Sequence, residues 1–318
     1  MNLLITGGAG FIGLNFVHYL LKNTSYHITL IDALTYASHP LEILRLQDND
    51  AFRFIQADIT SLHELSAAFD KEYDAIIHFA AESHVDNSIQ NANLFIETNI
   101  TGTYHLLTEL KKGNAKKMIY VSTDEVYGSL QPGQQPFTEN APLAPNNPYA
   151  ATKASGDLLV RSYFQTFNLP LITTRCSNNF GPFQHKEKFI PTIIHHAFHN
   201  KKIPIYGDGK QIRDWLFVRD HCEAIMLVMN KGRVGEVYNI GGENEYTNLE
   251  VVNEILTRIK KPKSLISFIA DRKGHDRRYA INSSKLQNEL GWKQATSFTK
   301  GLDLVINWYS IYLKRVGL

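Results

Sequence analysis

Three glycines near the start of the chain, Gly8, Gly10 and Gly13, constrain the fold more than any other feature of the sequence. They follow a short apolar run at 3–6 and precede apolar side chains that repeat at helical spacing over 11–21. Glycines at this spacing let the backbone turn tightly and approach a pyrophosphate, which the N-terminus of the next helix attracts. A lone glycine triplet also occurs in plain tight turns. The strand and helix around this one favour a dinucleotide-binding unit.

Strand-like and helical stretches alternate through the first half of the chain. We expect strands at 27–32, 52–56, 74–79, 117–122 and 171–175, and helices at 62–69, 94–111 and 149–167. Such alternation is typical of a parallel sheet with helices on both faces. The sequence therefore predicts an α/β fold, a doubly wound parallel Rossmann sheet. The proline-rich segment 129–148 predicts a long loop.

The alternation weakens after residue 175, where we expect a smaller C-terminal substrate-binding lobe. The predicted NAD-binding Rossmann domain covers 1–175 and 213–247, and the predicted lobe covers 176–212 and 248–318. Within the second half, patterns predict a strand at 237–240 and helices at 224–229, 249–260, 285–290 and 302–312.

The bulk composition excludes several classes of protein. The net charge is +2, and the most basic short stretch, 260–263, is small, so we expect no nucleic-acid partner. Two cysteines provide neither a disulfide framework nor a zinc site. No apolar run is long enough to span a membrane, and the N-terminal stretch lacks the pattern of a secretory signal. We expect a cytoplasmic protein without a metal.

Two acidic positions bear on the choice of dinucleotide. Asp32 ends the second predicted strand, 19 residues after Gly13. A carboxylate there accepts hydrogen bonds from ribose hydroxyls and repels a 2′-phosphate, so it favours NAD over NADP. Asp58 and Ile59 follow the third strand and could receive the adenine edge, although an Asp is also common at a strand end.

A second set of polar residues points to proton chemistry. Tyr149 and Lys153 lie four apart, so on a helix they share one face, and a cation beside a tyrosine favours its ionised form. This pair also occurs by chance on many helices. The adjacent acids Asp124 and Glu125 directly follow an apolar strand, where carboxylates lose solvation. They are either a solvated strand tip or an acid–base pair in a cleft.

Several stretches resemble the dTDP-glucose 4,6-dehydratases of the extended short-chain dehydrogenase/reductase superfamily. They are AAESHVDNSI (80–89), VSTDEVYG (121–128), NNPYAATKA (146–154), CSNNFGPFQHKEKFIP (176–191), IPIYGDGKQIRDWLFVRDH (203–221) and DRKGHDRRYAIN (271–282). The resemblance implies bound NAD, dTDP-glucose as substrate, and a homodimer formed through helices 94–111 and 149–167. The family oxidises C4 of the sugar, eliminates water across C5 and C6, and returns the hydride to C6.

The resemblance also implies roles for individual residues. Glu125 would remove the C5 proton, Asp124 would protonate the C6 hydroxyl, and Tyr149 would take the C4 hydroxyl proton. Lys153 would hold the nicotinamide ribose and lower the pKa of Tyr149, and Thr123 would bond the C4 oxygen. The implied cofactor-binding residues are Gly7, Gly10, Phe11, Ile12, Gly13, Asp32, Thr35, Asp58, Ile59, Ala80, Ala81, Asn99, Ser122, Tyr149, Lys153, Cys176 and Asn178. The implied substrate-binding residues are Ser83, Thr123, Asn179, Glu187, Lys188, Tyr206, Arg213, Asn248, Arg272 and His275.

The sequence departs from the family at a few positions. Ala33 stands where Lys is usual, Ser129 replaces a common Asp, and segment 38–51 looks shortened. Phe180 and Phe183 replace Tyr, which would remove two hydroxyls near the site. The alternatives are a 4,6-dehydratase or 4-epimerase for another nucleotide sugar, or a non-catalytic dinucleotide sensor. An epimerase needs no C5 base, and such sensors often lose the Tyr or the Lys.

Overall fold

The computed structural model describes residues 1–131 and 133–315. Its strands are β1 (Asn2–Thr6), β2 (His27–Asp32), β3 (Phe52–Gln56), β4 (Ala75–His78), β5 (Met118–Thr123), β6 (Leu171–Cys176), β7 (Asn178–Phe180), β8 (Ile203–Tyr206), β9 (Ile212–Phe217), β10 (Val237–Ile240), β11 (Glu245–Thr247) and β12 (Ile266–Ile269).

The helices are α1 (Phe11–Asn23), α2 (Pro40–Leu46), α3 (Leu62–Ala67), α4 (Val85–Gln90), α5 (Asn93–Ile96), α6 (Thr103–Lys111), α7 (Pro148–Phe167), α8 (Phe189–Phe198), α9 (Val218–Lys231), α10 (Asn248–Ile259), α11 (Ser284–Leu290) and α12 (Phe298–Arg315). A π-helical segment, Glu97–Gly102, joins α5 to α6, so the helix predicted at 94–111 is one rod with an internal irregularity. Within the described residues, no helix has the length and apolarity needed to cross a membrane.

Seven parallel strands form the central sheet in the order β10-β6-β5-β4-β1-β2-β3. Strand β1 pairs with β2 on one side and with β4 on the other. Strands β2 and β3 are added on one side of β1, and β4, β5 and β6 on the other, so the order of strand addition reverses between β1 and β4. A crevice opens there at the carboxyl ends of the strands. Strands β4, β5 and β6 are buried along their whole length, as a sheet covered on both faces requires. The predicted doubly wound fold is confirmed.

The C-terminal half adds two small sheets, β11-β9-β7 and β12-β8. Helices α8, α10 and α12 pack against them around a second apolar core that includes Phe180, Trp215 and Phe298. Segment 213–247 was assigned to the Rossmann domain, but its first part lies in β9, which pairs outside the central sheet. Later in that segment, β10 pairs with β6 of the central sheet, and α9 packs in the core beside that sheet. The domain boundaries stay a prediction.

The long proline-rich segment between Tyr127 and α7 is mostly irregular, as predicted. It packs along the C-terminal lobe, because Phe137 makes an isolated parallel bridge to Ile281 and stacks on Tyr127. Arg175 reinforces this region from β6: its guanidinium donates to both carboxylate oxygens of Asp157 on α7 and to the Tyr127 hydroxyl. These contacts fix α7 against the sheet.

Candidate active site

A cleft of about 730 Å³ lies at the carboxyl ends of the central strands, between the sheet and the C-terminal lobe. Most of the predicted site residues line it. They are Gly7, Gly10, Phe11, Ile12, Gly13, Asp32, Thr35, Asp58, Ile59, Ala80, Ala81, Ser83, Ser122, Thr123, Asp124, Glu125, Tyr149, Lys153, Cys176, Asn178, Asn179, Glu187 and Lys188. The strand order therefore brings together residues that are far apart in sequence.

The glycine turn after β1 is built for close backbone contact. Gly7 has a φ of +70°, and a Cβ on it would lie 2.4 Å from the backbone nitrogen of Ala80. A Cβ on Gly13 would lie 2.4 Å from the carbonyl oxygen of Gly7. A Cβ on Gly10 would approach that same oxygen only to 3.4 Å. Gly7 and Gly13 thus serve the packing of the turn, while the face of Gly10 is open to the cleft.

Asp32 closes the neighbouring side of the cleft at the end of β2. Its Oδ2 accepts from the amide of Ala9 at 2.9 Å, and its Oδ1 accepts from the amide of Leu34 at 2.8 Å. Burial raises the pKa of Asp32, and these two amides partly oppose the rise. The carboxylate is therefore held by the turn that it faces. An open glycine face beside a fixed carboxylate suits the pyrophosphate and ribose of NAD.

Asp124 begins the turn after β5 and is 3% exposed. The Thr123 hydroxyl donates to its Oδ1 at 3.3 Å, whereas Oδ2 has no hydrogen-bond partner among the described residues. Burial, followed by the charges of Glu125 and Asp214, raises the pKa of Asp124 well above its usual value. This environment favours the neutral carboxylic acid over the carboxylate.

Glu125 has a different environment one residue later. It is half-buried, and its Oε2 accepts from the Asn147 amide at 3.3 Å and lies 3.5 Å from the Tyr279 hydroxyl. Asn147 also caps α7, because its Oδ1 accepts from the amide of Ala150. Glu125 thus has the solvent access and the amide donor that Asp124 lacks, and adjacent carboxyls in unlike environments can take opposite proton roles.

Tyr149 and Lys153 lie one turn apart on α7, and both are buried. Burial and the charge of Glu125 raise the pKa of Tyr149 well above its usual value. Lys153 donates to the carbonyl of Val121 at 2.8 Å, and burial lowers its pKa to about 8. Lys153 is not among the groups that shift the pKa of Tyr149 in this structure, so the expected lowering of that pKa by Lys153 stays a prediction.

Six predicted residues lie outside the cleft lining: Asn99, Tyr206, Arg213, Asn248, Arg272 and His275. Asn99, in the π-helical segment, donates to the carbonyl of Glu82 and to Thr152, so it ties the loop after β4 to α7. Asn248 starts α10, and its backbone amide donates to the backbone carbonyl of Gln211. Neither contact places a polar group in the cleft.

The other four surround a polar cluster on the lobe. The Arg272 guanidinium is 3.7 Å from Asp86, and the Tyr206 hydroxyl donates to the same carboxylate at 3.3 Å. His275 contacts Asp271 at 2.6 Å. Arg213 lies over the ring of Tyr279, 4.3 Å from its centre. Arg272 and His275 thus contact protein carboxylates and Arg213 contacts an aromatic ring, and the hydroxyl of Tyr279 lies within 3.5 Å of Glu125.

The two Phe departures do not remove hydroxyls from the cleft. Phe180 is fully buried in the core of the lobe, edge-on to Trp215 and against Phe298. Phe183 adopts a φ of +64° and packs on His18 and Trp308. Phe180 therefore serves the packing of the lobe, whereas Phe183 packs between α1 of the Rossmann domain and α12 of the lobe. Of the other departures, Ala33 lines the cleft, and the Ser129 hydroxyl accepts from the amide of Arg277.

Sequence reasoning missed several residues of the site. Tyr36, in the loop after Asp32, donates to Glu187 at 2.9 Å and so joins the two sides of the cleft. Asn147 and Tyr279 contact Glu125 as described above. Both lie inside stretches that carried the family resemblance, but their roles depend on tertiary contacts. Among the described residues, no group of three or more His, Cys, Asp or Glu side chains could hold a metal.

Comparison with known proteins places this arrangement in one family. The family model described as GDP-mannose 4,6 dehydratase matches residues 4–305. The dTDP-glucose 4,6-dehydratase of Haemophilus influenzae is 45% identical over 97% of this chain and 98% of its own. A crystal structure of a dTDP-glucose 4,6-dehydratase from Streptomyces venezuelae, with NAD bound, has a TM-score of 0.95 at 42% identity and covers 99% and 98% of the two chains. The corresponding enzyme of Bacillus anthracis, in complex with NAD, gives 0.91 at 46% identity with the same coverage.

Proposed function

Because the chain belongs to the GDP-mannose 4,6 dehydratase family, we propose that it is a dTDP-glucose 4,6-dehydratase. The glycine turn and Asp32 would hold NAD, which would supply an acceptor for hydride from C4 and later a donor of that hydride to C6, where a proton returning to C5 completes the reduction. Between these events water leaves across C5 and C6, and the product is dTDP-4-keto-6-deoxyglucose. The observation that carries the proposal is the pair Asp124 and Glu125, whose unlike environments suit one acid and one base.

Glu125 is the proposed base for C5. Once C4 is a ketone, the C5 proton is acidic because the electron pair that it leaves enters an enolate. Asn147 holds Oε2 of Glu125, and within the described residues Oε1 has no hydrogen-bond partner, so Oε1 is free to take the proton.

Asp124 is the proposed acid for C6. A hydroxyl is a poor leaving group unless it is protonated, and the raised pKa of Asp124 keeps a proton on this side chain. Its partnerless Oδ2 supports a polar ligand at that position, because a buried polar atom usually has a partner. The C6 hydroxyl would be that ligand.

Thr123, Tyr149 and Lys153 are proposed to act at C4. The Thr123 hydroxyl donates to Asp124, and Thr123 and Tyr149 line the same cleft. Tyr149 would take the C4 hydroxyl proton, and Lys153 would hold the nicotinamide ribose. The raised pKa of Tyr149 means that phenolate formation depends on positive charge entering the cleft with the cofactor.

The substrate side of the proposal rests on cations near the cleft. Lys188 lines the cleft and donates to the carbonyl of Ser83 at 2.8 Å, and Asn179 lines the same cleft. Arg213 and Arg272 would bind the diphosphate through their planar guanidinium groups. To bind the diphosphate, Arg272 would have to leave Asp86. Tyr206, which donates to the same carboxylate, would have to move with it.

A 4-epimerase, or a dehydratase for another nucleotide, is the second candidate. Epimerisation at C4 removes no proton from C5 and expels no hydroxyl from C6, so it requires neither Glu125 as a base nor Asp124 as an acid. The non-catalytic sensor is disfavoured because Tyr149 and Lys153 are both present in the cleft.

We further propose a homodimer in the cytoplasm. The predicted dimer helices expose Tyr104, Leu158 and Phe167, residues that are 43–55% exposed. Pairing through these helices would cover them. Both cysteines are free and buried, as a reducing compartment permits. Sedimentation as a stable monomer would contradict the dimer.

The first test is incubation of the purified protein with dTDP-glucose and no added cofactor. The expected result is a 4-ketosugar that has lost one water by mass, which would show turnover with retained NAD. Parallel reactions with UDP- and CDP-glucose address the second candidate. Absence of product from all three sugars, even with NAD supplied, would contradict the proposal.

A further inference from the structure

His221 is a fully buried histidine on α9 that the proposed mechanism does not use. Burial lowers its pKa to about 3, so the imidazole is neutral at physiological pH. Its Nδ1 lies 3.0 Å from Oδ1 of Asn179, and its Nε2 has no hydrogen-bond partner within the described chain. A neutral imidazole carries one hydrogen, which lies on either nitrogen.

The contacts of Asn179 determine which nitrogen carries that hydrogen. The side-chain nitrogen of Asn179, Nδ2, donates to the backbone carbonyl of Ser177 at 3.0 Å. A carbonyl oxygen only accepts, so this atom must be the nitrogen of the amide. The other amide atom is therefore the oxygen, which needs a donor from His221. The hydrogen of His221 must lie on Nδ1, and the lone pair of Nε2 faces the interior.

This pair fixes the direction of the Asn179 side chain. With its oxygen bound by His221 and one N–H bound by Ser177, a single side-chain N–H of Asn179 remains, and Asn179 lines the cleft. A reversed amide would set its NH₂ against Nδ1–H and its oxygen against a carbonyl. Asn179 therefore presents a donor to the cleft, which suits an acceptor such as a diphosphate oxygen.

We propose that His221 is a positioning residue that holds Asn179 as a hydrogen-bond donor to the diphosphate of the substrate. The inference rests on the proposed function for the identity of the ligand. His221 does not line the cleft, so it acts through its hydrogen bond to Asn179. Because it stays neutral, its contribution is constant over the working pH range.

The test compares two substitutions of His221 with a double-mutant cycle. His221→Leu removes the donor, and His221→Asn restores an amide nitrogen near the position of Nδ1. We expect H221L to raise KM for dTDP-glucose and Kd for dTDP about tenfold, with kcat changed less than about twofold. H221N should recover most of the affinity. In an Asn179→Ala background, H221L should add nothing further, since the partner is gone.

Several outcomes would overturn the inference. Equal losses in H221L and H221N, or an additive effect in the Asn179→Ala background, would show that His221 serves only packing. A shifted pH profile of kcat would show that it exchanges protons. Calorimetric binding of dTDP requires no turnover, so it tests His221 even if the wild-type protein does not convert dTDP-glucose, which would contradict the proposed function instead. Should H221L fail to fold, Asn179→Leu and H221N give the same comparison from the other side of the pair.

Discussion

The cofactor half and the substrate half of the cleft are built in different ways. The cofactor half consists of backbone: a glycine turn, two amides that hold Asp32, and strand ends in a buried sheet. The substrate half depends on long side chains from distant segments, and Arg272 and His275 are paired with protein carboxylates. The first half is complete before any ligand binds, whereas the second must exchange partners. Binding of NAD and of the sugar nucleotide should therefore respond to different mutations.

Glu125→Gln gives the largest expected effect and tests whether the chemistry separates from both halves. We expect dehydration to fall at least about 10³-fold, because no base remains for the C5 proton. Retained NAD and binding of dTDP should stay near wild-type levels, and the near-ultraviolet absorbance of the bound nicotinamide should still respond to substrate. Product is measured by loss of water in the mass of the sugar. Normal turnover would refute the role given to Glu125.

A pair of glycine substitutions addresses the cofactor half. Gly10→Ala places a Cβ toward the cleft with only the Gly7 oxygen nearby among the described residues, at 3.4 Å. We expect NAD affinity to drop about 100-fold while the Tm of the cofactor-free protein is unchanged.

Gly13→Ala is the matched comparison, because its Cβ would lie 2.4 Å from the Gly7 oxygen. That variant should lower the Tm of the cofactor-free protein as well as the retention of NAD. Quantifying the nucleotide released on denaturation, alongside calorimetry, distinguishes the two. If both glycines behaved alike, the division between a packing role and a ligand-facing role would be wrong.

The same contrast explains what the sequence predicted well. The glycine turn, the strand ends and the Tyr149–Lys153 spacing are local patterns, and local geometry places them in the cleft. Their directions were harder to predict. Lys153 points to the Val121 carbonyl because the end of β5 offers an acceptor there, and only tertiary structure reveals it.

The substrate half was predicted by family resemblance more than by physical pattern. Nothing local in the sequence indicates that Asp86 engages Arg272, since the two residues lie on segments that meet only in the fold. Likewise, Phe180 follows Asn179 along β7 but turns into the lobe core, because alternate residues of a strand face opposite sides. Contacts between distant side chains were therefore the part that the sequence could not supply.

Asp86→Asn tests whether a carboxylate of the protein weakens substrate binding by pairing with Arg272. If Asp86 competes with the diphosphate for Arg272, its neutralisation should lower KM for dTDP-glucose about threefold, a small effect because the pair is partly exposed. Retention of NAD should not change. Steady-state kinetics at two salt concentrations measures the effect, which should shrink at the higher one. A rise in KM would mean that Asp86 orients Arg272 toward the substrate.

The smallest expected effect concerns stability and lies between the two halves, at Asp124. Its folded-state pKa is raised, chiefly by burial, so the folded protein keeps a proton that the unfolded chain releases above about pH 4. Stability associated with this group is thus fully present below that pH and is lost as pH rises toward the folded pKa. Asp124→Asn cannot ionise, and all other titrating groups are common to both proteins. The difference in Tm, variant minus wild type, should therefore grow with pH by a few degrees, whatever constant cost the amide adds. Calorimetry of both cofactor-free proteins from acidic to mildly alkaline pH measures it, and a difference that stays flat would show that Asp124 is ionised in the folded protein and unsuited to the acid role.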